Sequence, residues 1–321
     1  MSSGHLIHRV SVLGCGLIGG SFALALRKYT EGVHISAWDR AENVAHAKER
    51  GAADEVFSGE LKPAIHNADL IYVALPISTT LDILPEIARH AASHALVTDA
   101  SSTKVRIVQA AEDLFPTGQG PLFLGGHPMA GKELAGIANA DANLFRNTTY
   151  AIIGESSRSI DDESALEIYS TGGPTARLPG NRRTAKALGN DPRVQAFLKM
   201  VEKIGARPLW LGGQQHDYAV GLASHLPQLA AVALASFLYD HLDENGLPIA
   251  LAGPGLRDSL RLAGSPYNMW RDIVLTNREV LSAALDLFAR RLDELREKLA
   301  SRELEADFDA ANELYKLLRS F

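Results

Sequence analysis

The stretch Val10-Ser11-Val12-Leu13-Gly14-Cys15-Gly16-Leu17-Ile18-Gly19-Gly20, closed further on by Trp38-Asp39-Arg40, decides the fold. Val10 to Leu13 read as a strand, the residues after Gly16 as a helix, and the glycines between them as a tight connection. Each glycine has its own task. Gly14 permits the turn out of the strand, Gly16 lets backbone approach a pyrophosphate, and Gly19 lets the helix lie close to the sheet. The pyrophosphate would rest on the unpaired amides around Leu17 and Ile18, where the helix dipole also favours negative charge. Asp39, about twenty residues on at the end of a second apolar run, fits a ribose 2'-hydroxyl and would repel the 2'-phosphate of NADP. NAD is therefore the expected cofactor, with the adjacent Arg40 acting in the opposite sense.

The 321 residues, 46% of them apolar, give room for two globular domains. A formal net charge of -6 argues against a surface built for nucleic acid. The single cysteine, Cys15, excludes an internal disulfide framework and suits a reducing, cytoplasmic setting. Within the glycine turn it reads as a small filler. Met1 to His5 lack the pattern of an export signal, and no apolar run is expected to span a bilayer, so neither a membrane nor nucleic acid is an expected partner.

Strand-like runs at His8 to Leu13, Val33 to Trp38, Leu70 to Ala74, Leu96 to Thr98, Leu122 to Leu124 and Tyr150 to Ile153 alternate with helical patterns. That rhythm predicts an α/β, Rossmann-like, doubly wound parallel sheet. Leu75-Pro76 falls where a cofactor-facing strand would end. Thr171 to Asn190 carries six Gly and Pro residues, four basic residues and no acidic ones, and reads as an exposed, mobile insertion. Arg193 to Ile204 reads as helix, Pro208 to Leu211 as a short strand, and nearly everything from Gln214 onward as helix. The expected organisation is a cofactor domain over residues 1–190 and an all-α domain over 191–321. Ala219 to Leu242 is apolar on all sides, so a partner subunit is expected to cover it, giving a homodimer through the helical half. Leu281, Leu285, Phe288, Leu292, Leu295 and Leu299 form a stripe at helical spacing, for which a core-facing role suffices.

Gly125-Gly126-His127-Pro128-Met129-Ala130-Gly131-Lys132-Glu133 follows a strand, so His127 is expected to project from a strand end beside the nicotinamide. A neutral imidazole there can take a proton from a hydroxyl as hydride leaves the same carbon. Asp99-Ala100-Ser101-Ser102-Thr103-Lys104 lies between a strand and a helix, where Ser102 would bond substrate or nicotinamide and Ser101 or Ser102 would cap the helix. Ser224-His225-Leu226-Pro227-Gln228 suggests a helix start capped by Ser224. Arg257, Arg261 and Arg271 supply guanidinium forks suited to carboxylates.

In their order along the chain, the glycine turn, Asp99 to Lys104, Gly126-His127-Pro128-Met129-Ala130-Gly131, His216-Asp217, Ser224 to Pro227, Arg257-Asp258 to Arg261 and Met269-Trp270-Arg271-Asp272 resemble the prephenate and arogenate dehydrogenase family. The resemblance covers nearly the whole chain. It implies a Rossmann domain joined to a helical dimerisation domain, and a small-molecule reaction: NAD-dependent oxidation of a cyclohexadienol with loss of carbon dioxide, ending in an aromatic ring. It also implies roles. His127 accepts a hydrogen bond from the C4 hydroxyl, Ser102 orients that hydroxyl and the nicotinamide, and Arg261 binds a substrate carboxylate with Glu133 and Asp258 around it. Lys132, Ser224, His225 and Gln228 fall on the substrate side, and Leu75, Pro76 and Ser101 on the cofactor side. At Gln228 many members carry a further histidine, which leaves both tyrosine feedback and the choice between prephenate and arogenate open. Neither a fused mutase nor a regulatory domain is expected within this length.

Two other readings stand against this one. A β-hydroxyacid dehydrogenase or imine reductase would use a lysine or aspartate of the helical domain as proton donor, which the Gly-His-Pro segment opposes. A non-catalytic NAD-binding sensor would keep the fold without turnover.

Overall fold

The computed structural model describes residues 7–116, 118, 120–132, 134–154, 188–242 and 246–319. Most of the expected insertion, and Glu133, lie outside them. The chain forms two compact units, Met1–Val220 with Gly264–Thr276, and Gly221–Ala263 with Asn277–Phe321.

The first unit is built on an eight-stranded sheet. In chain order its elements are β1 (Arg9–Leu13), α1 (Leu17–Tyr29), β2 (His34–Trp38), α2 (Ala41–Glu49), β3 (Glu55–Phe57), α3 (Lys62–Ile65), β4 (Leu70–Val73), α4 (Ile77–His90), β5 (Leu96–Asp99), α5 (Val105–Leu114), β6 (Leu122–Pro128), β7 (Thr149–Ile153), α6 (Pro192–Lys203), β8 (Arg207–Leu211) and α7 (Gly213–Val220). The strand order is β3-β2-β1-β4-β5-β6-β7-β8, with β1 to β6 parallel. Successive side chains alternate between two buried faces, as a doubly wound sheet requires. Val10, Val12, Leu70 and Tyr72 enter one apolar layer, while Leu13, Ile71 and Val73 enter the other. The Phe22 ring stacks on Tyr72 at 3.8 Å between centroids, tying α1 to β4.

Three expectations change here. The sheet is not wholly parallel, because β7 runs antiparallel to β6 and β8 runs parallel to β7. Among the described residues from 129 to 148 the helical structure is a single short turn at Ile137–Asn139, so no longer helix formed by them carries the chain back across the sheet before β7 begins. β6 extends through Gly125-Gly126-His127-Pro128, pairing with β5 through Leu124 and with β7 thereafter. The boundary does not fall at residue 190, since α6, β8 and α7 complete the sheet unit, with Val194, Phe197 and Val201 buried in its core.

The second unit opens on a π-helical turn, Gly221–His225, and continues with α8 (Leu226–Asp240), α9 (Leu247–Ala250) and α10 (Pro254–Leu260). The chain then rejoins the first unit for α11 (Tyr267–Thr276), whose Ile273 packs with Ile77 and Ile107. α12 (Arg278–Lys298) and α13 (Glu305–Arg319) complete the second unit. Helical structure is continuous from Gly213 to Asp240, so Ser224 caps nothing and sits exposed on the π turn. This run is long and apolar enough by composition to cross a membrane, contrary to the expectation, and only 28% of its apolar window is buried. The α12 stripe is not core-facing over its length. Leu281 is buried, but Leu285, Phe288, Leu292 and Leu299 are exposed.

Candidate functional site

The turn after β1 is shaped by what its glycines exclude. Gly14 adopts φ +94°, and a Cβ there would lie 2.4 Å from the Ala74 carbonyl oxygen. A Cβ on Gly19 would lie 1.9 Å from the Gly14 oxygen, so α1 packs directly on the loop. Gly16 differs, with nothing within 4 Å of its Cβ position, so its backbone faces open space. It is also the N-cap of α1, and among the described residues no side chain bonds the first-turn amides of Leu17, Ile18 and Gly19. Asp39 is drawn to this loop: Oδ2 accepts the Cys15 amide at 2.6 Å, and Oδ1 accepts the Arg40 amide and the Asn43 side chain. Arg40 is exposed.

The starts of α4 and α5 are closed by carboxylates from far along the chain. Asp272 of α11 accepts both the amide and hydroxyl of Ser78. Asp217 of α7 accepts the amides of Lys104 at 2.7 Å and Val105 at 2.9 Å. Neither Ser101 nor Ser102 caps α5. Of the helix starts that follow β1, β4 and β5, that of α1 is the one without a carboxylate on its amides among the described residues, which leaves it as an open anion seat. Leu75 and Pro76 border it at the end of β4, half-buried and exposed respectively. Ser101 is buried and its hydroxyl has no hydrogen-bond partner, which leaves it available to a bound group. An open glycine backbone, an uncapped helix start and an orphaned hydroxyl fit a dinucleotide.

Asp99, at the end of β5, anchors the segment that carries His127. Its carboxylate accepts the Gly126 amide at 3.1 Å and the Ser101 amide at 3.0 Å, and it pairs with the Lys104 ammonium. Lys104 also donates to the Gly126 carbonyl at 2.6 Å. Both charged side chains are fully buried. Burial pushes the Lys104 ammonium below its usual basicity, and Asp99 offsets part of that. A Cβ on Gly126 would lie 2.7 Å from the Asp99 carbonyl, so only glycine lets β6 pass this close. His127, half-buried, places Nδ1 2.8 Å from Nε2 of His216, and Nδ1 of the buried His216 lies 2.8 Å from Asp217 Oδ1. Ser102 lies half-buried between β5 and α5.

The other expected site residues are distributed more loosely. Lys132 pairs with Asp141 at 2.9 Å. In the helical unit, buried His225 meets Asn277 at 3.2 Å, and buried Gln228 donates to the Leu262 carbonyl at 2.8 Å, one residue past Arg261. Asp258 and Arg261 are exposed, and the Arg261 amide bonds back to the Asp258 carbonyl. His127 and Ser102 thus belong to one unit, and Ser224, His225, Gln228, Asp258 and Arg261 to the other. Asp99, Lys104, His216, Asp217 and Asp272 carry much of the geometry without having drawn individual roles from the sequence. The available signal was the motifs themselves, Asp99 to Lys104, His216-Asp217 and Met269 to Asp272.

A Rossmann-type sheet with an open glycine turn after β1 and a hydrogen-bonded histidine on β6 defines a dinucleotide-dependent oxidoreductase. The model of the prephenate dehydrogenase nucleotide-binding domain matches residues 22–169, and that of the prephenate dehydrogenase dimerization domain matches residues 213–319. The chain is 32% identical over 299 residues to the prephenate dehydrogenase of Lactococcus lactis, covering 93% of this chain and 73% of that one. Its structure is similar to that of prephenate dehydrogenase from A. aeolicus in complex with hydroxyphenyl propionate and NAD+, at TM-score 0.79 and 25% identity over 99% of each chain. It is also similar to Synechocystis arogenate dehydrogenase, at TM-score 0.65 and 26% identity over 97% of this chain and 96% of that one. The chain belongs to the prephenate dehydrogenase family.

Proposed function

We propose that this chain catalyses the NAD-dependent oxidative decarboxylation of prephenate to 4-hydroxyphenylpyruvate and carbon dioxide. The observation that carries the reading is His127, held on β6 by the Asp99–Lys104 pair and joined to His216. Gly14, Gly16, Leu17, Ile18 and Gly19 would seat the pyrophosphate, Asp39 and Arg40 the adenosine ribose, and Leu75, Pro76 and Ser101 the remainder of the dinucleotide. Bound NAD supplies the hydride acceptor. His127 accepts the proton of the substrate C4 hydroxyl, and Ser102 orients that hydroxyl. Arg261 takes a substrate carboxylate in a two-point contact, with Asp258 beside it in the chain, and the family resemblance assigns Glu133 to the substrate side as well. Ser224, His225, Gln228 and Lys132 complete the substrate side. In this reading Gln228 acts partly through the backbone, since its amide holds the turn that follows Arg261.

The similarity to an arogenate dehydrogenase favours a second reading, in which arogenate is accepted alongside or in place of prephenate. The chain acts as a homodimer through the helical unit, whose exposed apolar side chains match the family's dimerization domain. A cytoplasmic setting suits a chain whose one thiol is buried and unpaired. NADH formation with prephenate and arogenate, each with NAD and with NADP, tests the reading. Turnover of prephenate with NAD is expected, and no NADH from either substrate would overturn it.

A further inference from the structure

We propose that His216 and Asp217 are positioning residues that lock His127 in the tautomer required of a base, with hydrogen on Nδ1 and the lone pair on Nε2. The inference deepens the reading of His127 as proton acceptor and rests on it.

With both imidazoles neutral, the hydrogen bonds fix the proton positions in sequence. A carboxylate only accepts, and the two oxygens of Asp217 already accept the amides of Lys104 and Val105. Its Oδ1 lies 2.8 Å from His216 Nδ1, so that nitrogen carries hydrogen. A neutral His216 then has its acceptor at Nε2, which lies 2.8 Å from His127 Nδ1. His127 must therefore donate through Nδ1, leaving Nε2 as the nitrogen able to take a proton. A free histidine side chain prefers the opposite tautomer, with hydrogen on Nε2, so the lock has something to do.

The surroundings make it rigid. His216 and Asp217 are 1% and 2% exposed, so bulk water does not compete for these bonds. Asp217 is pinned to the start of α5, and the two imidazole rings meet edge to face at 67° with centroids 5.0 Å apart. When the hydroxyl O–H bond breaks and the Nε2–H bond forms, the resulting imidazolium faces a neutral acceptor backed by a fixed carboxylate. This is the same logic by which an orienting carboxylate serves a catalytic histidine in hydrolases.

Histidine-selective 15N NMR on the full-length protein, combined with kinetics of His216→Phe, His216→Gln and His127→Asn, tests the proposal. In the wild type, His127 should show a protonated Nδ1 and an unprotonated Nε2. His216→Phe keeps a buried ring but removes the acceptor, and should lower kcat by roughly 10²-fold or more with NAD affinity and thermal midpoint little changed. His216→Gln retains an acceptor and should recover part of the loss. A wild-type His127 carrying hydrogen on Nε2 would overturn the proposal even if His216→Phe failed to fold, as would full turnover in His216→Phe. Loss of turnover in His127→Asn beside full turnover in His216→Phe would remove the lock alone, whereas unaltered turnover in His127→Asn would remove the base reading beneath it.

Discussion

The two units solve the burial problem differently. In the sheet unit, large side chains such as Phe22, Tyr72, Tyr150 and Phe197 are fully enclosed. In the helical unit, Phe237, Tyr239, Leu251 and Phe308 are 57%, 77%, 83% and 67% exposed, and the four hydrophobic clusters among the described residues all belong to the sheet unit. The sheet therefore carries its own core, while the helices leave much apolar surface exposed, which a second chain would cover in the proposed homodimer. Exposed apolar area on this scale marks an interface. The membrane-length apolar run from Gly213 to Asp240 has the same explanation. It contains buried His216, Asp217, His225 and Gln228, which a lipid-facing helix would place at high cost.

The contrast is broken most severely from inside the sheet unit. Asp99→Ala leaves the Lys104 ammonium buried without its partner and should cost about 3–5 kcal/mol, read as a lower urea midpoint at every protein concentration. A substitution in the helical unit should behave otherwise. Phe237→Asp puts charge on the uncovered face and should halve the mass measured by light scattering, with a thermal midpoint that falls on dilution in the wild type but not in the variant. Unchanged mass would place the interface elsewhere.

A smaller effect is expected at the α6 cap, where Asp191 accepts the Arg193 amide at 2.8 Å. Asp191→Ala should cost about 1 kcal/mol. Arg193, against the opposing effect of burial, holds the Asp191 carboxyl below its usual range. Its stabilisation is thus present above the ordinary carboxylate range and is lost as pH falls through the lowered value, so the two midpoints should converge in acid. The least change is expected at Cys15, whose thiol is pushed up to about 12 by burial and by Asp39. It should resist alkylation in the folded protein at mildly alkaline pH and react fully in urea.

What was legible in the sequence was local. The β1–α1 turn announces itself because strand, glycines and helix start lie within a dozen residues, and α6 and β8 follow from periodicity alone. The direction of β7 was not legible, since it depends on what the preceding segment lacks. Nor were the carboxylates that close α4 and α5, because Asp272 and Asp217 lie 194 and 112 residues from the amides of Ser78 and Val105. The pairing of His216 with His127, 89 residues apart, is of the same kind. Helix capping by Ser101 or Ser102 was a sound local expectation displaced by a distant carboxylate. The α12 stripe misled because periodicity says which face is apolar without saying what covers it.

The central claim is that a strand-borne imidazole takes the substrate's proton while the glycine turn independently holds the coenzyme. Steady-state turnover of His127→Asn, measured beside its NAD dissociation constant, addresses it most directly. A fall in kcat of roughly 10²- to 10⁴-fold with unchanged NAD affinity is the result expected. Turnover equal to that of the wild type would contradict it.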